Sequence, residues 1–259
     1  IEFYKRSPRG WPMNSEFKNE ALLDFSQEAN RSGQLKALEL VQSQLGRTYD
    51  LIIGGKRLKS DKTFQSINPS KKSEIIGFFQ SADLAQAAHA VEVATQAFEA
   101  WKRCSAQHRA DILFRAAGIL RKRRLEMNAW MILEVGKTWA EADADTAEAI
   151  DFCEFYAREA LRYAETQPLI PLAGEANELR YIPLGVGAVI SPWNFPCAIL
   201  VGMTTAAIVA GNTVVLKPSS DAPAIAAFVI QILEEAGVPP GVVNYLTGSG
   251  ATVGDAIRS

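Results

Sequence analysis

From Gly185 onward the chain alternates short β-branched runs with longer helical ones, and this alternation restricts the fold more than any other feature. Residues 186–190, 213–216 and 242–246 are compact apolar runs bounded by turn residues, which reads as buried strands. Between them, 197–210 is apolar on most faces. Ile225, Phe228, Val229, Ile232 and Leu233 then share one face of a helix that ends at Gly237. A turn, Thr247-Gly248-Ser249-Gly250, opens a further helix. Strand–helix–strand–helix–strand closes into a Rossmann-type parallel sheet with right-handed crossovers, because only that hand packs each helix back onto the sheet. Ligands of such α/β sheets bind beyond the carboxyl ends of the strands. Three loops lie there: 191–196, 217–220 and 248–250.

The preceding half reads as scaffold. Residues 1–16 form an extended lead-in, and 26–46 a helix finishing at Gly46; together they make an N-terminal unit, 1–46, ahead of a nucleotide-binding unit, 47–259. Leu51-Ile52-Ile53, Gly54-Gly55 and Lys56-Arg57-Leu58 spell a hairpin, and 67–70 a turn. Four helical patterns follow. The first carries Leu84, Ala87, Val91, Ala94, Phe98 and Trp101 on one face, with Ser81 or Asp83 as N-cap. The second groups Leu113, Ala116, Ala117 and Leu120; the third covers about 126–135 and the fourth about 139–165. Acidic residues early in the fourth suit the positive end of its dipole. The basic run from Arg121 to Arg124 ends a helix and reads as a solvated face. Residues 168–184 carry prolines, Gly174 and the run Glu178-Leu179-Arg180-Tyr181-Ile182, a strand outside the main alternation. An exposed strand edge needs a cover, which points to a homo-oligomer.

Composition narrows the function. With 259 residues, 48% apolar and 22% charged, the chain can bury a large core. A net charge of −2 gives no electrostatic footprint for nucleic acid. No apolar run reaches the roughly 18 residues of a membrane span, and no signal peptide is expected. Three scattered cysteines form no disulfide framework or metal pair, so a reducing, cytoplasmic setting is expected. The chain opens at Ile1 and closes at Ser259 inside a helix-like stretch, which reads as a truncated segment of a longer protein.

Each loop offers chemistry beside a plainer role. Pro192 and Pro196 stiffen the first, and Asn194 presents an amide donor suited to a developing oxyanion, or to loop carbonyls. Trp193 and Phe195 line a ligand or fill a core. Lys217 follows 23 residues after Asn194 at the next strand end. It can reach ribose hydroxyls or a phosphate, with Pro218 and Ser220 beside it, or simply meet solvent. Gly248-Ser249-Gly250, with Gly254 four residues on, permits close backbone approach at a helix start that favours anions, or is a mere turn.

Taken together, these motifs resemble the aldehyde dehydrogenase superfamily. The likeness runs through Asn68-Pro69, Glu134-Val135-Gly136-Lys137, Ser191-Pro192-Trp193-Asn194-Phe195-Pro196, Gly211-Asn212-Thr213-Val214-Val215-Leu216-Lys217-Pro218-Ser219 and Gly248-Ser249-Gly250, and covers the chain from about Phe17. The resemblance implies that Asn194 stabilises the oxyanion formed from the aldehyde, with Phe195 towards the substrate. It implies that Ile190, Ser191, Pro192 and Trp193 line the cofactor and that Lys217, with Pro218 and Ser220, binds the adenine ribose. Gly250 and Gly254 lie by the adenosine and pyrophosphate, and 168–184 forms oligomerisation strands. Two stretches, 17–26 and 137–152, are similar to the branch that oxidises L-glutamate γ-semialdehyde, free-standing or fused to a proline dehydrogenase; Ala21 stands where that branch commonly has proline. The implied cofactor is NAD. Ser220 stands where strictly NAD-selective members often carry a glutamate, which leaves NADP open.

The family's reaction also needs a cysteine thiolate and a glutamate base, which the resemblance places beyond Ser259. The catalytic domain is therefore expected to be absent and the chain alone inactive. Cys197 begins an apolar helix, where a thiol pKa can fall, but reads as a packing residue. Cys104, Cys153, His89 and His108 belong to the scaffold. A second reading makes the chain a non-catalytic nucleotide-binding or assembly module.

Overall fold

A computed structural model describes residues 17–258; the expected lead-in, 1–16, lies outside the described residues. The alternation after Gly185 forms as expected. Strands β6 (Val186–Ile190), β7 (Thr213–Lys217) and β8 (Val243–Tyr245) are parallel, joined by helices α6 (Ala198–Val209) and α7 (Pro223–Ala236). β7 lies between β6 and β8 and is buried throughout. Its side chains alternate between two apolar clusters: Val214 and Leu216 join the large core, while Val215 faces a smaller one with Ala87, Ala90, Ala94, Leu246 and Val253.

The hairpin β2 (Leu51–Ile53) and β3 (Lys56–Leu58) forms around Gly54-Gly55 and extends this sheet. Ile52 pairs antiparallel with Tyr245, so the order is β3-β2-β8-β7-β6. A second sheet escaped the sequence reading: β1 (Arg47–Tyr49), β5 (Ile75–Gln80) and β4 (Thr63–Ile67), with β5 in the middle. Helix α1 is Glu28–Gln42, shorter than expected, because 43–46 turns before the chain enters β1 at Arg47.

Helices α2 (Leu84–Trp101), α3 (Ala106–Lys122), α4 (Arg124–Val135) and α5 (Trp139–Ala164) follow the four predicted patterns. Asp83 and Thr138 each form a capping box, with Gln86 and Glu141, which fixes where α2 and α5 begin. Helix α7 has no such cap of its own. The buried Glu134 carboxylate, from α4, accepts the N–H groups of Ala224 and Ile225 at 2.9 Å each, and the Ser66 hydroxyl at 2.9 Å. One acidic side chain thus joins β4, α4 and α7.

The basic run is a solvated face only in part: Arg121 and Lys122 are exposed, but Arg124 is not. Arg124 is buried and grips Asp143 with two hydrogen bonds of 2.6 Å, while its third nitrogen reaches the Ala21 carbonyl. Arg121 bridges Glu20 and Glu154. Asp143 also accepts the Leu23 N–H, and Asp151 the Glu20 N–H. Asp143 near the start of α5 and Asp151 in its middle therefore hold the segment 19–23. A local charge pattern cannot reveal this, since the partners lie about 100 or more positions apart.

Residues 178–182 form no strand among the described residues. Extended segments become strands only when another edge supplies ladder hydrogen bonds, and none does so here. Ile182 and Leu184 stay 77% and 94% exposed, and Tyr181 rests edge-on against Tyr163. No helix among the described residues is long and apolar enough to cross a membrane.

Candidate functional site

The parallel sheet brings the three loops to one edge. Ile190 pairs with Lys217 in register, and the Ser191 N–H continues the ladder to the Lys217 carbonyl at 3.2 Å. The second and third loops meet where Gly254 abuts the Lys217 side chain: a Cβ there would lie 3.9 Å from both Cδ and Cε. The Ser220 hydroxyl reaches the Gly248 carbonyl at 3.4 Å. Residues more than 60 positions apart, from Ile190 to Gly254, thus come together at the carboxyl ends of the parallel strands.

Lys217 is the unusual group. It is only 5% exposed, yet no carboxylate pairs with it among the described residues, and its ammonium donates to the Pro218 carbonyl at 3.1 Å. Burial lowers its pKa from the ordinary lysine value. A buried cation without a counter-charge is costly unless a polar ligand completes its surroundings. At Gly250 the backbone is open, since a Cβ there would touch nothing within 4 Å. Within the Gly248-Ser249-Gly250 turn, Gly248 proves the constrained glycine: φ is 148°, and a Cβ would come 2.7 Å from Val253. Ser249 caps the short turn Gly250–Gly254 through the Thr252 N–H at 3.1 Å.

The first loop is different. Ser191 is buried, its hydroxyl without a partner, and Pro196 is buried as well. Between these anchors Trp193, Asn194 and Phe195 stand exposed, Trp193 at 56%. The Asn194 amide has no hydrogen bond to any described residue, so the expectation that it serves loop carbonyls does not describe it. Ile190 is half-exposed at the end of β6.

Beneath this loop lie two residues that the sequence reading missed. Asp145, fully buried on α5, accepts the Ala198 N–H at 2.6 Å where α6 begins. Lys137 pairs with Asp145 at 2.7 Å and places its ammonium 4.5 Å from the centre of the Phe195 ring. Burial raises the Asp145 pKa, with Lys137 and the main-chain N–H groups of Ala198 and Cys197 pulling against it. Gly136 makes this placement feasible: in the left-handed region (φ 71°) it ends α4 and packs on Pro69. The available signal was the Gly-Lys pair after a helix, with an aspartate eight residues on.

Cys197 is buried and its thiol pKa is raised well above the ordinary value, chiefly by burial. That is the packing role, since desolvation outweighs the helix start. Cys153 is likewise pushed up to about 12. Among the described residues no cluster of His, Cys, Asp or Glu could hold a metal ion.

Comparison with known proteins places this geometry. The profile of the aldehyde dehydrogenase family matches residues 57–259. A 1-pyrroline-5-carboxylate dehydrogenase of Geobacillus kaustophilus is 52% identical over 239 residues, 92% of this chain and 46% of that protein. The solved 1-pyrroline-5-carboxylate dehydrogenase from Thermus with bound NAD superposes with a TM-score of 0.91 at 45% identity, covering 94% of this chain and 47% of that one. Proline utilization A from Bdellovibrio bacteriovorus gives 0.92 at 43% identity, covering 93% of this chain and 25% of that one. The chain spans about half the length of the curated relatives it matches. By fold, motif and sequence, the chain belongs to the aldehyde dehydrogenase family.

Proposed function

We propose that this chain forms the cofactor-binding part of a 1-pyrroline-5-carboxylate dehydrogenase, which oxidises L-glutamate γ-semialdehyde to glutamate. The observation that carries the reading is the placing of a buried, carboxylate-free Lys217 and an exposed, unengaged Asn194 amide at the carboxyl ends of adjacent parallel strands, β7 and β6. The residues fit a dinucleotide: the lysine lacks a counter-group, and the turn at Gly250 leaves open space. Lys217, with Pro218 and Ser220, would hold the adenine ribose, while Gly250 and Gly254 would admit the pyrophosphate. Ile190, Ser191, Pro192 and Trp193 would line the nicotinamide side. NAD, when bound, accepts the reducing equivalents of the oxidation. NAD is favoured by the NAD-bound relative; the lack of a carboxylate at Ser220 keeps NADP as a weaker second ligand.

Asn194 would donate its amide N–H to the oxygen of the aldehyde as negative charge develops there. Phe195 would wall the substrate. The nucleophile, on this reading, comes from outside these residues, which the burial and raised pKa values of Cys153 and Cys197 support. On this reading the chain alone is inactive, which supports the name of a binding module for the isolated segment only. The exposed apolar run at 168–184 fits pairing with a second copy, and the likeness to proline utilization A fits fusion to a proline dehydrogenase. Three free thiols suit a cytoplasmic setting.

The test is the absorbance of reduced nicotinamide when the complete protein meets NAD and Δ1-pyrroline-5-carboxylate. Turnover that falls at least a hundredfold in Asn194→Ala, with NAD affinity kept, is the expected result. An unaltered rate with chemistry limiting would remove Asn194 from the reaction.

A further inference from the structure

The loop that presents Asn194 makes few contacts of its own. Trp193, Asn194 and Phe195 all stand out between two buried ends, so something must fix their direction. The described hydrogen bonds and ring contacts show one device at each side. On the C-terminal side, the Asp145 carboxylate takes the Ala198 N–H at the start of α6, two residues after Pro196. Within the loop, the Lys137 ammonium lies under the Phe195 ring at 4.5 Å. A 2.7 Å ion pair couples the two.

The pair is placed by elements that do not belong to the nucleotide-binding sheet. Lys137 follows the left-handed Gly136 at the end of α4, and Asp145 lies on the face of α5 that packs Ala142, Thr146 and Ala149 inward. Both side chains are shielded, Lys137 being 12% exposed and Asp145 fully buried. In such surroundings an ion pair is directional and slow to rearrange, and its value lies more in fixing geometry than in net stability. A cation held against a ring face adds a second, orientation-dependent contact.

We infer that Lys137 and Asp145 are positioning residues for the Asn194 loop, holding the amide donor in its working direction from below. The inference rests on the reading of Asn194 as an oxyanion donor. Neither residue touches the aldehyde; each acts through Phe195 or the first turn of α6. Geometric misplacement of a donor costs turnover rather than ground-state binding, because the charge it stabilises exists only in the transition state.

The experiment uses the complete protein, with kcat and the KM values for NAD and aldehyde measured on Lys137→Met, Lys137→Arg, Phe195→Leu and Asn194→Ala, each checked for folding by circular dichroism and melting. Lys137→Met is expected to lower kcat at least tenfold with the KM for NAD within twofold, and Lys137→Arg to recover most of that loss. Phe195→Leu keeps the buried ion pair and so carries the test if Lys137→Met folds poorly; it lowers kcat with the same KM pattern. The double variant Lys137→Met/Phe195→Leu should lose less than the product of the single losses, because both act through one contact. Folded Lys137→Met and Phe195→Leu proteins with normal kcat, beside a crippled Asn194→Ala, would overturn the positioning role alone. Normal turnover in Asn194→Ala would instead overturn the functional reading beneath it.

Discussion

Strands β6 and β7 are neighbours paired residue by residue, yet they live in different surroundings. β7 is buried at every position, with strands on both edges and apolar clusters on both faces. β6 ends the sheet and alternates exposed with buried residues, and the unpaired segment 165–184 leads into it. The loops that these strands carry differ in the same way. Lys217, the last residue of β7, is buried beside Gly254, whereas Asn194, after β6, stands free above an ion pair from outside the sheet. The difference is one of support: the group proposed to meet the cofactor is enclosed by its own sheet, and the group proposed to meet the aldehyde is held from outside it.

The comparison can be broken at its strongest point. Leu216→Ala removes a fully buried side chain from β7, and a cavity there is expected to cost about 2–5 kcal/mol in urea unfolding. A loss below about 1 kcal/mol would mean that the core around β7 is looser than its burial implies.

Glu134 sharpens it through pH. Its pKa is pushed up to about 7 by burial, against the Ala224 and Ile225 N–H groups and the Ser66 hydroxyl that pull it down. Between the reference 4.5 and about 7, the folded state keeps a proton that the unfolded chain has released. Stability is therefore expected to fall as pH rises through that window, by up to about 3 kcal/mol, and to level off above it. Glu134→Gln should flatten this slope in unfolding titrations; an unchanged slope would assign it to other groups.

The smallest effect belongs to β6. Val186→Ala, at an exposed position on the free edge, should change stability by no more than ~0.5 kcal/mol. A loss as large as that of Leu216→Ala would show that β6 is covered in solution.

Much of this division could be read from the sequence. The periods of 186–245 give the strands and helices of the parallel sheet, and Gly54-Gly55 between two apolar runs gives the hairpin. What lay hidden depends on distant partners. That the hairpin joins the sheet rests on Ile52 meeting Tyr245, nearly two hundred positions away, which no local pattern encodes. The sheet around β5 was overlooked although Ile76 and Phe79 are fully buried, because its short runs lie among charged turns. Glu178-Leu179-Arg180-Tyr181-Ile182 has strand composition without an edge to pair with, so composition alone overstated it.

The candidate site divides in the same way. Asn194 and Lys217 were legible from their loops, but Asp145 and Lys137 were not: an acid in an acidic helix and a lysine after a glycine look solvated until α5 and α6 pack. Likewise Arg124 in a basic run looks exposed until Asp143 meets it.

The most direct test of the divided site is NAD affinity, measured by isothermal titration on the complete protein carrying Lys217→Ala or Asn194→Ala. The account predicts about tenfold weaker binding, roughly 1.4 kcal/mol, for Lys217→Ala and an affinity within twofold of the parent for Asn194→Ala. Unchanged affinity in folded Lys217→Ala, or equal losses in both variants, would contradict it.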